Sequence, residues 1–382
     1  MKHIKILIKS ILFILNCLCH NINIILQFKN FMHYISLQNE IKVIERYLII
    51  CKDFNTPIKF KKVKDPKISI ISPTFNRERF VGRFLNSIQL QNFNNIEIIL
   101  IDDCSTDNSV KIIEDYKKKD ERIVLIKNNK NKGTFVSRNI GVLYGKGKYI
   151  ILPDPDDILS SDIISFCYNY AQKYNYELIR FIIYNGNGKI DSQKFIPKLG
   201  NKPVYHPKVS TNIFYGYNEL EMMDFCINNK FIKSEIYVKA LNSLNNSYLN
   251  IYNIFMEDQI MNYLIHKFAK SFYFFTKIGY YYLPSEISIT KNTNKIPSLL
   301  IKCLFLYLKI FFEYSKNTKY EKDMSNFLFS RLNRKFDIIS GVSRLSSKDD
   351  LYFYYFVIKI YLNNKFITNE NKNYFKYLKS II

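Results

Sequence analysis

Three carboxylates, Asp154, Asp156 and Asp157, follow the apolar run Tyr149-Ile150-Ile151-Leu152, with Pro153 before them and Pro155 between the first two. Acidic groups held this close repel one another unless a cation sits among them, and hard divalent ions prefer oxygen ligands. The pattern points to a metal and phosphate site. An Asp-rich turn ahead of a helix, whose N-terminus favours acids, uses the same residues, so the tripeptide alone leaves both readings open. A second acidic pair, Glu257-Asp258, opens a helix-periodic stretch that continues through Leu264, a position the helix dipole also favours. His206 and His266 could add to a metal shell, but a lone histidine is more often structural and neither is assigned a role.

The elements that must position these acids are read from apolar periodicity. Residues 68–71, 96–101, 123–126 and 149–152 are short β-rich runs closed by polar or turn residues, and 79–90, 109–119 and 135–144 are helix-periodic. Strands alternating with helices predict a parallel sheet covered on both faces. Its strand ends then gather three polar stretches on one edge: Ser72 to Arg77, Asp102 to Asp107, and Asp154 to Asp157. Ligands bind at that edge in open α/β sheets. Further on, 162–174 reads as a helix, 177–184 as a strand, and Asn185-Gly186-Asn187-Gly188 as a hairpin-type turn.

The chain's 382 residues suggest one large catalytic domain with extensions, or two subdomains. A formal charge of +23 could favour nucleotides, nucleic acid or an anionic membrane surface. The abundance of Asn, Ile, Lys and Tyr points as well to a chain-wide bias, and neither an Arg-rich arm nor an RNP-type motif argues for nucleic acid. The seven cysteines are scattered, with no C-x-x-C pair, so neither a disulfide framework nor a zinc site is indicated.

Residues 1–28 are apolar behind Lys2, Lys5 and Lys9, but Asn16, His20, Asn21, Asn23 and Gln27 interrupt a span, leaving a poor signal-anchor and an interfacial or packed helix as alternatives. Leu37, Ile41, Ile44, Leu48 and Cys51 give an amphipathic helix, and 54–67, with Pro57, Pro66 and five lysines, a linker. The apolar stretches 299–312 and 351–362 are interrupted by lysines and too short to span comfortably. The expectation is a membrane-associated chain, at the ER/Golgi or a cytoplasmic face. Asn245-Asn246-Ser247 as the sole glycosylation acceptor leans against a lumenal catalytic domain.

Five pieces in order carry a resemblance: Ile70 to Arg77; Ile98 to Ser109; Asn131-Lys132-Gly133; Ser137-Arg138-Asn139-Ile140-Gly141; and Gly147-Lys148-Tyr149 leading to Asp154-Pro155-Asp156-Asp157. Together they are similar to the family 2 inverting glycosyltransferases of the GT-A nucleotide-sugar fold, over about residues 68–159. The resemblance implies an α/β, Rossmann-like mixed and mainly parallel sheet flanked by helices, with helical N- and C-terminal extensions. The boundaries expected are 1–66 for the N-terminal segment, 67–290 for the catalytic domain (67–160 for the nucleotide-sugar half, 161–290 for the acceptor half) and 291–382 for the C-terminal extension.

The same resemblance implies that Pro73, Thr74 and Asn76 line the nucleotide pocket, that Arg77 lies near the diphosphate, and that Asp103 accepts from the base, usually uracil. Lys132, Gly133 and Arg138 would lie beside the nucleotide, Arg138 having the alternative of pairing with a carboxylate to hold the loop. Asp156 would contact Mn2+ or Mg2+, with Asp154 toward the ribose and Asp157 in support. Asp258, with Glu257 as neighbour, would be the base that deprotonates a hydroxyl acceptor. The family's processive synthases carry a Trp-containing motif; this chain has no tryptophan, so transfer of a single sugar is expected. A nucleotidyltransferase of related fold and a catalytically inactive nucleotide-sugar-binding protein are the alternatives.

Overall fold

The structure, a computed structural model, describes residues 43–54, 59–185, 189–190, 204–205, 226–249, 257–283 and 310. The chain divides into two compact units, 1–55 and 56–382. In the first, residues 43–53 form a helix, α1, that buries Ile44 and Cys51 and exposes Val43, Ile49 and Ile50, the one-sided pattern its periodicity predicts. The expected segments 1–28, 299–312 and 351–362 lie outside the described residues, apart from Ile310. Among the described residues no helix is long and apolar enough to cross a membrane.

The second unit is built on one sheet. Its first half alternates β1 (Ile68–Thr74), α2 (Val81–Gln89), β2 (Ile96–Asp102), α3 (Ser109–Lys117), β3 (Ile123–Lys127), α4 (Thr134–Tyr144) and β4 (Tyr149–Ile151). The strand pairs β1 with β2, β1 with β4 and β2 with β3 are parallel. Every residue of β1 and β2 is buried, as continuous Ile-rich runs require when helices cover both faces. α2 buries Val81, Phe84, Leu85 and Ile88, a stripe at helical spacing, against that sheet.

The second half adds β5 (Ile158–Leu159), α5 (Ile163–Tyr174), β6 (Leu178–Asn185), β7 (Lys189–Ile190), β8 (Val204–Tyr205), β9 (Lys230–Lys233), α6 (Ser234–Asn242), α7 (Asn246–Leu249), α8 (Glu257–Phe268) and β10 (Ser271–Tyr282). The strand order is β3-β2-β1-β4-β9-β6-β10-β5, with β7 on β6 and β8 on β10. β9 runs antiparallel to both β4 and β6, which makes the sheet mixed where residue pattern alone predicts a parallel one. β6 and β7 pair antiparallel, and residues 186–188 of the expected turn between them lie outside the described residues.

The aromatic strand β10 was not expected from the sequence. Its run of Phe and Tyr lacks period-two alternation because both faces are covered; Phe275, for one, packs on Phe166 at 4.6 Å and on Tyr170 at 4.7 Å between ring centroids. Residues 60–67, expected as linker, join the second unit. Phe60 forms a parallel bridge to Asp120, and its ring lies 3.8 Å from the Arg122 guanidinium.

Candidate active site

The C-terminal ends of β1, β2, β3 and β4 open on one edge, and so do the start of antiparallel β9 and the N-terminus of α8. The first two loops brace each other. Asn76, in the left-handed region at φ 51°, donates its backbone N–H to Ser105 Oγ (3.0 Å) and accepts from the Thr106 N–H at Oδ1 (2.9 Å). The Arg77 N–H donates to Ser109 Oγ (2.7 Å), and Asp107 accepts from the Glu78 and Ser109 N–H groups at 3.0 and 2.9 Å. Burial acts against the Asp107 charge, but those hydrogen bonds outweigh it and hold its carboxyl below the usual range. Pro73 and Thr74 lie inside β1, fully covered; the Thr74 carbonyl accepts from the Asp103 N–H at 2.8 Å.

Asp103 itself is buried and turned to the third loop. Its carboxylate accepts from the Lys132 N–H, the Gly133 N–H and Asn128 Nδ2 at 2.8, 2.8 and 2.7 Å. Gly133, at φ 85°, supplies the left-handed turn that presents both N–H groups. With three acceptances made, a carboxylate has about one lone-pair direction left for a ligand. The neighbouring Asp102 accepts from the Ser105 N–H at 3.2 Å through Oδ2, while its buried Oδ1 has no partner.

At the end of β4, Asp154 and Asp156 take separate positions. Asp154 is partly exposed; it accepts from Arg138 (3.3 Å) and from Asn228 Nδ2 (3.4 Å). Asp156 lies 3.5 Å from Arg77 Nε through Oδ2, and its carbonyl accepts from Arg83 at 2.6 Å. Burial, and then the nearby Asp154 charge, push the Asp156 carboxyl up against the opposing pull of Arg77. Asp157 turns away and is buried, with Oδ2 accepting from Tyr280 OH (2.7 Å) and Oδ1 from the Leu283 N–H (2.9 Å). Among the described residues no group of three or more His, Cys, Asp or Glu side chains is arranged to hold a metal ion. A divalent ion bound mainly through substrate phosphates needs only one or two carboxylates, and Asp154 with Asp156 fit that requirement.

Arg138 ties this loop to the acidic pair. Its guanidinium reaches from α4 to Asp154 and, at 2.9 Å, to Glu257 at the start of α8. Burial works against its charge, but Glu257 and Asp154 outweigh that cost and raise its pKa, so it stays protonated. The carboxylate pairing expected as one alternative is present, with both Asp154 and Glu257. Glu257 is thereby occupied, whereas Asp258, partly exposed, accepts from the Gln259 N–H at 2.8 Å and has no cationic partner among the described residues. Burial of its carboxyl, then the charge on Glu257, pushes Asp258 up to about 8. His266 lies further along α8, its Nδ1 against the Asn262 carbonyl at 2.8 Å, and His206 is outside the described residues.

Three residues here carried no sequence signal that singled them out. Tyr280 on β10 donates to Asp157 and accepts the Asp154 N–H at 3.1 Å. Burial and the Asp157 charge push its phenol well above the usual value, so its proton stays in place to be donated. Asn228 and Arg83 complete the contacts; the only hints were an Asn-Asn turn before β9 and an arginine on the helix behind the first loop.

Residues 69–235 match the family model described as Glycosyl transferase family 2. The chain is 42% identical over 97 residues to an uncharacterized glycosyltransferase of Haemophilus influenzae, covering 25% of this chain and 39% of that protein. It is 28% identical over 221 residues to the uncharacterized glycosyltransferase MG060 of Mycoplasma genitalium, covering 56% of this chain and 71% of that one. The chain thus spans about two fifths of the length of the first of these relatives. Among solved structures it is similar to S. aureus TarS 1-349 in complex with UDP-GlcNAc, at TM-score 0.55 and 19% identity, over 75% of this chain and 78% of that one. The fold is therefore the GT-A type, a mixed and mainly parallel sheet flanked by helices.

Proposed function

From a Glycosyl transferase family 2 domain over residues 69–235, we propose that the protein transfers a single sugar, with inversion, from a nucleoside-diphosphate sugar to a hydroxyl acceptor on a glycan, lipid or protein. A UDP-sugar is the favoured donor, a reading supported by the UDP-GlcNAc held by the TarS structure of the same fold. The observation that carries the proposal is the link through Arg138. One buried guanidinium holds Asp154 of the strand-end acids and Glu257 of the acidic pair, which supports reading the adjacent Asp258 as the base that acts beside the donor loop.

In this reading Asp258 takes the acceptor's hydroxyl proton as that oxygen attacks the anomeric carbon, while the bond to the diphosphate breaks on the opposite face. A raised pKa suits the role, since a base works best when its pKa lies near the operating pH. Arg77 places a cation at the end of the first loop, where the leaving diphosphate gains charge. Asp156 and Asp154 would hold Mn2+ or Mg2+, and the bound ion would supply Lewis-acid neutralisation of the leaving group.

The test is release of nucleoside diphosphate by the full chain from UDP-, GDP- and dTDP-sugars, with Mn2+ or with chelator. Metal-dependent release from one donor is expected, cut by about 10²–10⁴-fold in Asp258→Asn, the range for loss of a general base. Asp156→Asn is expected to weaken the metal requirement and the rate together. Nucleotide binding without turnover, equal in wild type and Asp258→Asn across acceptors, would move the inactive-binder reading ahead.

A further inference from the structure

The sheet edge opposite the candidate site carries none of the residues assigned to that site. The parallel strands all begin there: Lys67 precedes β1, Lys146 and Lys148 precede β4, Lys173 ends α5 ahead of β6, and Lys270 precedes β10, every one of them exposed. A second lysine group is fastened to the same edge by Phe60. Its N–H donates to the Lys119 carbonyl (3.1 Å) and its carbonyl accepts from the Glu121 N–H (2.9 Å). Its ring packs on Arg122, which is buried and paired through two hydrogen bonds, at 2.9 and 2.8 Å, with Asp120. This junction brings the run Lys59, Lys61, Lys62 and Lys64 beside the run Lys117, Lys118 and Lys119, although the two lie far apart in sequence.

Part of that charge is cancelled, and Asp65, Glu177 and Glu235 lie on the same edge, but lysines outnumber acids there. Lys61 pairs with Glu121 and Lys118 with Asp115, but Lys59, Lys62, Lys64 and Lys67 have no carboxylate partner among the described residues. Apolar exposure concentrates on the same edge. The exposed large apolar side chains described in this unit are Phe75, Leu143, Tyr144 and Tyr174. Phe75 belongs to the site. Leu143 (62% exposed) and Tyr144 (51%) end α4, and Tyr174 (47%) ends α5, both beside the lysines.

We propose that this edge is a docking surface for a bilayer containing anionic phospholipid. Lysines are compact, hydrated point charges that suit a diffuse anionic surface, and a lysine cluster near a negatively charged leaflet strengthens binding by roughly fivefold per residue. Leu143, Tyr144 and Tyr174 supply the apolar and interfacial aromatic groups that enter the headgroup layer. A nucleic acid would use the lysines but leave an exposed leucine without purpose. Because β1 and β2 are seven residues long, roughly 3.3 Å each, the candidate site would stand on the order of 20 Å above the lipid and open toward water.

The experiment is co-sedimentation of the full chain with vesicles of phosphatidylcholine alone or with 30% phosphatidylglycerol (about 0.1 M salt, a Debye length near 10 Å). Wild type is expected to bind the anionic vesicles at least about tenfold more tightly than the neutral ones. Replacing Lys62, Lys64, Lys117 and Lys146 together by Gln is expected to abolish that preference. Leu143→Ser with Tyr144→Ser is expected to weaken binding severalfold on both vesicles, with the melting temperature of neither variant lowered. Equal wild-type affinity for the two vesicles, or a preference that survives the four-lysine change, overturns the proposal. So does a result in which those lysine changes remove binding to a single-stranded RNA while vesicle binding stays intact.

Discussion

At the scale of single residues, the acidic pair divides its labour. Glu257 is held by Arg138, and Asp258 keeps a carboxylate that burial and its neighbour push up to about 8. A base must be ionised, so kcat/KM for nucleotide release is expected to climb with pH, with unit slope in its logarithm, and level off near that value. A profile flat from pH 5.5 upward would remove Asp258 from the role. Stability moves the other way. A carboxyl whose folded pKa exceeds its unfolded value of 3.8 favours the fold below that lower value, and the contribution is lost as pH rises toward about 8. Melting temperatures of wild type and Asp258→Asn should accordingly converge at acid pH and separate as pH rises. Arg138 carries a larger structural load. Arg138→Ala leaves Glu257 and Asp154 without their counter-charge, and urea denaturation is expected to show a loss of about 3–5 kcal/mol. Of these roles, acids at two strand and helix termini were legible in sequence. That one arginine joins the two was not legible, since Arg138 and Glu257 are 119 positions apart; the sequence offered only a pairing with some nearby carboxylate.

At the scale of elements, the site is a set of loops whose shape is fixed from behind. β10 contributes Tyr280, whose hydroxyl sits between the Asp157 carboxylate and the Asp154 N–H. Tyr280→Phe keeps the packing and removes only those bonds. It is expected to cost about 1–3 kcal/mol for the buried groups left unpaired, and to raise the donor KM more than it lowers kcat, measured by steady-state nucleotide release. β4 is seated from its other end. The Gly147 N–H donates to Ser69 Oγ (2.8 Å), Ser69 Oγ donates to buried Glu97 (2.6 Å), and Glu97 also accepts from the Lys146 N–H (2.5 Å). A Cβ at Gly147 would overlap the Ser69 backbone nitrogen, so Gly147→Ala must shift one strand against the other. An overpacking loss of about 1–3 kcal/mol is expected in the same denaturation assay. The strands and helices of the first half were readable because each is a compact apolar run with turn residues at its ends. β5 was missed because two residues carry no period, and β10 because its two buried faces erase the alternation that marks a strand.

At the scale of the whole molecule, a formal charge of +23 is a standing self-repulsion that folding must overcome. Raising ionic strength from about 10 to 150 mM shortens the Debye length from roughly 30 to 8 Å, and the melting temperature of the full chain is expected to rise with it. A melting temperature that falls over that range would mean that specific ion pairs outweigh the surplus. The sequence by itself determined the alternation of strands and helices, the edge on which the polar loops gather, and the chemistry available there. Those properties rest on local apolar patterning and on which side chains carry charge, both of which are local facts. Tertiary structure alone decided that β9 enters antiparallel between β4 and β6, and that Asp157 faces β10 while Asp154 and Asp156 face the edge. It alone decided, too, that Asp103 holds the third loop and that two distant lysine runs share one surface. Each of these depends on which distant segment fills the neighbouring space, and close packing settles that only when the whole sheet is assembled.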